Sequence, residues 1–262
     1  MGYLASVNAT SVAVVTGSSR GIGLEVARAL GRSGHAVLLV ARDAASLQAA
    51  AGSLAREGIR AATFACDLRD PASADAVLDA ARRSLGEPDV IVNNAGTAPT
   101  AKFEATTDAM LDETLALHVR APLALARAAL PGMKQRGRGC VVQIASTAGL
   151  RAFPFTAAYT AAKHAMVGLT RALASELRDT GIRAYAVCPG FVDTEITRGA
   201  ATAIAARGKL TAEQALQRMA EQNETRRMHT TEEVAETVAR LVKERPAGCT
   251  FVLDRDPPGF VD

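Results

Sequence analysis

The 262-residue sequence predicts an α/β protein built on one doubly wound parallel sheet of about seven strands, with helices on both faces. Three observations predict it. Short apolar runs alternate with helix-length segments along the chain, the order that joins parallel strands through right-handed crossovers. The runs are continuously apolar rather than alternating, as in strands buried on both faces. No low-complexity linker or compositional break divides the chain, so a single domain over 1–262 is expected.

The elements follow in chain order. Val12–Thr16 is the first apolar run, and a glycine-rich turn leads from it into a helix from Gly21 to Arg32. Ala36–Ala41 reads as the second strand and about Ala44–Glu57 as the second helix. Arg60–Cys66 leads to Asp67, and a helix covers about Ala72–Leu85. Asp89–Asn93 is the fourth run, followed by a loop and one long helix from about Thr107 to Arg136. Cys140–Ala145 runs into Ser146, and about Ala157–Thr180 is helical. Arg183–Cys188 ends at Pro189 and Gly190; Thr231–Glu244 is the last helix and Thr250–Leu253 the seventh strand. The stretch from about Glu195 to His229 is the least regular. It leaves the carboxyl end of a strand, where such sheets place ligands, and so reads as a lid and specificity element. Within it Leu210, Ala215, Leu216 and Met219 suggest one apolar face closing over a ligand.

Bulk properties narrow the function. A hydrophobic content of 48% supports a large core, and a net charge of +3 is too small to imply nucleic acid. No apolar stretch is long enough to suggest a membrane span, and the first residues lack the pattern of a secretory signal. Cys66, Cys140, Cys188 and Cys249 are widely spaced, as expected of reduced thiols in a cytoplasmic protein. The four histidines do not cluster with cysteines or acids, so no metal is expected.

Two motifs carry chemistry. The turn from Gly17 to Gly23 spaces glycines as G-x-x-x-G-x-G between a strand and a helix. Glycines there let backbone approach a pyrophosphate, and the helix N-terminus favours its charge. The second strand ends at Arg42, where a basic fork suits a ribose 2′-phosphate. Arg20, in the turn, is a second cation at the same end; the alternative is a solvated arginine pair. Asp43 could pair with Arg42. The second motif is Tyr159 and Lys163, four apart on one helix face. A lysine ammonium can lower a tyrosine pKa from its ordinary value of about 10, giving an acid/base group for a carbonyl or alcohol. Ser146, thirteen residues before Tyr159, offers a hydroxyl to the same oxygen.

With Thr16, Asp67, Asn93–Gly96, Pro189, Gly190 and Thr194 in the same order, this set resembles the short-chain dehydrogenase/reductase family over about residues 11–253. Within that family, Ala145–Gly149, Lys163 with His164, and Cys188–Thr194 are most similar to β-ketoacyl and polyketide ketoreductases. The resemblance implies a Rossmann-type fold and a nicotinamide cofactor. Arg20 and Arg42 favour NADP(H), with NAD(H) as the alternative. The resemblance places Gly17, Ser19, Arg20, Gly21, Ile22, Gly23 and Arg42 on the cofactor. It adds Asp67 and Leu68 at the adenine, with Asn94, Ala95 and Gly96 beside the dinucleotide. Pro189, Gly190, Val192 and Thr194 border the nicotinamide, and Tyr159 and Lys163 also touch the cofactor. Asp67 has a second reading, as N-cap of the following helix.

By the same resemblance Ser146, Tyr159 and Lys163 are catalytic, and the family usually adds an asparagine in the long helix. His118 stands there instead. A backbone carbonyl could hold the relay water whatever the side chain. His118 could itself relay protons, since an unperturbed imidazole titrates near about 6.5. The relay could also be impaired. The loop before Tyr159 should border substrate, with Ser146, Arg151, Phe153 and Tyr159 as contacts.

The expected reaction interconverts a ketone and a secondary alcohol on a small molecule, free or linked to an acyl carrier. The rivals are an NAD-dependent catabolic alcohol or hydroxyacyl dehydrogenase and a non-catalytic cofactor-binding regulator. The family implies a homo-oligomer, tetramer or dimer. The Asp254-Arg255-Asp256 ending replaces the usual Asp-Gly-Gly, which weakens the standard end-strand interface.

Overall fold

The valine- and leucine-rich runs become strands because both of their faces are covered. In β1 (Val12–Thr16) every residue is buried, and successive side chains feed opposite cores. Ala13 and Val15 point to one core with Val26, Leu30, Leu47, Leu54, Val234 and Val238. Val14 points to the other with Val77, Leu78, Leu125 and Met133. This computed structural model describes residues 11–206, 208 and 210–262.

The remaining strands are β2 (Ala36–Ala41), β3 (Ala61–Ala65), β4 (Pro88–Asn93), β5 (Gly139–Ile144), β6 (Ile182–Cys188), β7 (Thr250–Val252) and β8 (Gly259–Phe260). They form one sheet in the order β3-β2-β1-β4-β5-β6-β7-β8. All pairings are parallel except β7 with β8. The helices are α1 (Gly21–Arg32), α2 (Ala44–Arg56), α3 (Ser73–Ser84), α4 (Asp108–Leu115), α5 (Ala121–Arg136), α6 (Ala157–Glu176), α7 (Glu195–Ala205), α8 (Ala212–Gln222) and α9 (Thr231–Glu244). Strands are added in one direction from β1 to β3 and in the other from β4 onward, so the order switches between β1 and β4. That opens a crevice at their carboxyl ends, the place where open α/β sheets bind ligands.

Four expectations change. The sheet has eight strands, because the C-terminal residues fold back as β8. Phe260 packs on Phe251 at 5.2 Å and on Tyr185 at 6.2 Å. The Asp262 carboxylate accepts from the Cys249 and Thr250 amides. The single long helix is broken by a wide π-type turn over Ala116–Arg120, which swings His118 into the interior. The helix expected to reach Thr180 stops at Glu176, where Gly181 takes φ +67° and leads into β6. The segment after Thr194 is two regular helices. Thr194 caps α7, and Thr211 with Gln214 forms a capping box on α8.

Candidate active site

The glycine-rich turn is fixed by what lies under it. Gly17 takes φ +64°, and a Cβ there would sit 2.8 Å from Ala95 Cα. A Cβ on Gly23 would come within 2.3 Å of the Gly17 carbonyl, so helix α1 can leave the turn only from glycine. Asn94 Nδ2 donates to the Thr16 and Gly17 carbonyls at 3.0 and 3.1 Å. Thr16 Oγ1 accepts from the Asn94 and Ala95 amides at 3.0 and 3.1 Å. These bonds staple the ends of β1 and β4 into one floor.

Above that floor the turn is open. Gly21 takes φ +56° with nothing near its absent side chain. The first turn of α1 carries no acid and no side-chain cap, so its amides are available to an anion. Ser19 lies in the turn, and Ile22 packs down on the core. A dinucleotide pyrophosphate fits this arrangement of close glycine backbone and uncapped helix.

Just past the end of β2, Arg42 is exposed. Asp43 does not pair with it. The Asp43 carboxylate caps α2 by accepting from Ser46 N at 2.6 Å, and the Ser46 hydroxyl and then its amide hold the Asp43 pKa below the ordinary range. Both arginines are solvent-exposed, and Arg20 Nη1 also meets Glu195 Oε2 at 2.7 Å, across to the first turn of α7. Asp67 does not cap α3, which starts at Ser73. Its carboxylate instead accepts from Arg69 N and pairs with the Arg69 guanidinium at 2.5 Å, bringing its pKa to about 2. Leu68 packs against the second core.

Ser146 lies two residues past β5, and its Oγ accepts from Ala148 N at 3.1 Å. Tyr159 and Lys163 project from α6 toward that strand end. Lys163 is buried, and its Nζ donates to the Ile144 carbonyl at 2.7 Å. Burial lowers its pKa to about 7. Burial also pushes the Tyr159 phenol up to about 12, against the opposing pull of the Ser146 hydroxyl. The expected lowering of the phenol by Lys163 is not present here. Nζ stands 5.6 Å from the ring centroid and is turned to the Ile144 carbonyl.

His118 lies beside this group, its ring edge-to-face with Tyr159 at 5.6 Å. Burial, and then the Lys163 charge, lower its pKa to about 3. At that value the ring is neutral at physiological pH, which weighs against the relay reading and leaves the other two open.

The Pro189–Thr194 segment after β6 is held from behind by residues the sequence reading missed. Asn223 accepts from Phe191 N at 2.7 Å and donates to the Phe191 carbonyl at 3.0 Å. A Cβ on Gly190 would strike Asn223 Oδ1 at 2.3 Å, so Pro189 and Gly190 turn tightly over it. Val192 bridges to His229 as an isolated parallel pair. The Asp254 carboxylate accepts from Glu224 N, Thr225 N, Thr225 Oγ1 and His229 Nε2 at 3.1 to 3.3 Å. Asp254 carries a faint sequence signal, an acid closing an apolar strand; Asn223 and His229 carry none.

Arg151, half-exposed, also reaches this brace. Its Nη2 donates to the Gln222 carbonyl at 2.9 Å and approaches Asp254 at 3.9 Å. Phe153 lies under that guanidinium at 5.1 Å and edge-on to Phe191 at 5.8 Å. Ala215, Leu216 and Met219 pack α8 onto α7 with Ala201 and Phe191, so this face is filled within the segment. Among the described residues no group of three His, Cys, Asp or Glu side chains could hold a metal, and no helix is long and apolar enough to cross a membrane.

Fold and crevice together define a nucleotide-binding α/β oxidoreductase. The short chain dehydrogenase family model matches residues 11–205, and the chain belongs to that family. It is 37% identical over 241 residues to a ketoacyl reductase of the monensin polyketide synthase from Streptomyces virginiae, covering 91% of this chain and 92% of that one. It is 36% identical over 203 residues to a D-beta-hydroxybutyrate dehydrogenase from Cupriavidus necator, covering 78% and 79%. Among solved structures it is similar to an actinorhodin polyketide ketoreductase variant with NADPH. The TM-score is 0.85 at 34% identity, over 89% of this chain and 90% of that one.

Proposed function

We propose that this protein is an NADP(H)-dependent ketoreductase that interconverts a ketone and a secondary alcohol. The observation that carries the reading is the convergence of Ser146, Tyr159 and Lys163 at the end of β5, beside the β1–β4 crevice and its glycine floor. We read the chain as one cofactor-binding and catalytic domain over 1–262, of which 1–10 lie outside the described residues. Helices α7 and α8 form the lid, at about 195–229.

The turn from Gly17 to Gly23 and the 94–96 floor hold the dinucleotide, with Asp67 and Leu68 at its adenine. Arg42, and Arg20 once released from Glu195, face its 2′-phosphate. Pro189, Gly190, Val192 and Thr194 border the nicotinamide. When bound, the reduced nicotinamide supplies a hydride to the carbonyl carbon. Ser146 Oγ donates a hydrogen bond to the carbonyl oxygen and fixes its place. Tyr159 Oη gives that oxygen a proton, so ketone, hydride and proton balance as alcohol. Lys163 keeps N–H groups beyond the one on Ile144 for the nicotinamide ribose, and its pKa of about 7 suits proton exchange near neutrality.

NADPH in the actinorhodin ketoreductase structure and the ketoacyl reductase relative support the cofactor and a keto substrate, free or carrier-linked. The second reading, an NAD-dependent alcohol or hydroxyacyl dehydrogenase, is favoured by Glu195 occupying Arg20. Exposed Leu123 on α5 and Leu169 on α6 support a homo-oligomer, dimer or tetramer, through those helices. Four free cysteines support a reducing, cytoplasmic setting.

The test is oxidation of NADPH against a ketone panel by wild type and Y159F. Turnover in the wild type that falls about 100-fold or more in Y159F supports the reading. Equal rates in the two overturn it.

A further inference from the structure

His229 stands behind the segment that borders the proposed nicotinamide site. Two backbone bonds pair it with that segment: His229 N donates to the Phe191 carbonyl at 3.0 Å, and Asp193 N donates to the His229 carbonyl at 2.9 Å. They bracket Val192, whose carbonyl accepts from Thr197 Oγ1 at 2.7 Å. The His229 ring is buried, 1% exposed, and its Nε2 lies 3.1 Å from Asp254 Oδ1. The Asp254 carboxylate also fills the space beside Gly190, where a Cβ would come within 2.7 Å of it. Both ends of the run from Gly190 to Asp193 therefore bear on one buried pair, Asp254 and His229. Burial works against the charge of Asp254, and the bonds that it accepts more than offset this, so its pKa falls. An ionised carboxylate only accepts, which assigns a ring hydrogen of His229 to Nε2. Thr225 Oγ1 stands 3.4 Å from the same nitrogen and donates to Asp254. The other nitrogen, Nδ1, faces Glu233 Oε2 at 3.5 Å and has no hydrogen-bond partner among the described residues. Arg227 engages Glu233 and holds its carboxyl at about 2. Asp254 is thus the acceptor that fixes the ring.

We infer that His229 is a positioning residue for hydride transfer: its ring ties the Phe191–Asp193 backbone to buried Asp254 and so sets where Thr194 holds the nicotinamide. The inference rests on the reading of the Pro189–Thr194 segment as the nicotinamide border. Thr194 follows Asp193 directly, and its Oγ1 caps α7 by accepting from Thr197 N at 3.3 Å. A shift of the Phe191–Asp193 run therefore carries Thr194 and the start of α7 with it. The transferred hydrogen must meet the carbonyl carbon closely, and a misplacement of about 1 Å costs about 100-fold in rate. The pyrophosphate and adenine are assigned to other elements, the turn into α1 and the loop after β3. Loss of the tie should slow the reaction while leaving the dinucleotide bound.

The test compares H229Q with H229N. A glutamine amide can place an N–H where Nε2 stands and reach Asp254; an asparagine amide is one methylene shorter and cannot. Thermal unfolding first fixes a temperature at which both variants and the wild type are folded. Steady-state kinetics there should show kcat falling about 10-fold to 100-fold in H229N, with the KM for NADPH within about threefold. H229Q should recover most of that loss. A second measurement needs no turnover: the emission of bound NADPH, which reports the surroundings of its nicotinamide ring. At saturating NADPH, H229N should change the intensity and maximum of that emission, and H229Q should restore them. Unchanged kcat in H229N would overturn the inference, as would equal losses in the two variants. So would a loss carried by the KM for NADPH with kcat intact. If the wild type binds NADPH but reduces no ketone, the ketoreductase reading fails while the emission spectra still decide the positioning claim. Identical spectra for wild type and H229N would then overturn it. A wild type that binds neither NADPH nor NADH would overturn both.

Discussion

Asp254→Asn probes how the segment after α8 is held. The Asp254 carboxylate is almost fully buried at 1% exposure and accepts four hydrogen bonds. Oδ1 takes Thr225 N, Thr225 Oγ1 and His229 Nε2, and Oδ2 takes Glu224 N. An asparagine must place its NH2 at one of these oxygens. The milder choice is the Oδ2 position, which sets amide against the Glu224 N–H. That forfeits one charge-assisted bond, about 1.5–3 kcal/mol, and leaves a buried donor unmatched at about 1–3 kcal/mol. Together these come to about 2.5–6 kcal/mol, a Tm lower by at least about 5 °C in a chain of this size. Burial raises the Asp254 pKa, but the bonds from Glu224, His229 and Thr225 outweigh it, and the net shift is downward. A lowered carboxyl stabilises the fold above its unfolded pKa of about 3.9, and that stability is lost as pH falls through the folded value. The gap between wild type and D254N should therefore be full at neutral pH and close as pH drops below about 4. Differential scanning calorimetry from pH 7 downward measures both. A Tm within about 1 °C of wild type at neutral pH would refute the brace.

Two further predictions follow from the cofactor end. R42A should weaken NADPH binding about 10-fold to 100-fold, the value of one charge-assisted contact, and leave NADH within about threefold, as titrated by fluorescence. E195Q should free Arg20 and tighten NADPH binding a few-fold. Both side chains are about 70% exposed, so raised salt should erase the difference.

Most of the fold was legible because it is written in local pattern. Val12–Thr16, Ala36–Ala41 and Gly21–Arg32 carry their burial in their own sequence, and their bounds matched the structure. Most of the misses share one cause, contacts made far along the chain. Nothing in Gly259–Phe260 reads as a strand until Tyr185 and Phe251 are beside it. The wide turn at Ala116–Arg120 owes its shape to a partner at Thr97. Arg20 found Glu195, and Arg151 found Gln222 and Asp254; spacing encodes none of these. The regular lid helices were a different failure. Thr211 with Gln214 is a capping box visible in sequence, and it announced α8.

At the site, residue types and order were legible, while the electrical state was not. Tyr159 and Lys163 fall on one helix face as their spacing requires. Whether the ammonium meets the phenol or the Ile144 carbonyl is decided by burial and by backbone geometry at the end of β5.

The most direct test of the central claim follows the hydride itself. NADPH carrying deuterium at the transferable C4 position would be incubated with the protein and a ketone that it reduces, and the alcohol analysed by mass spectrometry. The account predicts one deuterium on the carbinol carbon in the wild type and a loss of product of about 100-fold or more in Y159F. Alcohol formed without deuterium, or formed equally well by Y159F, would contradict it.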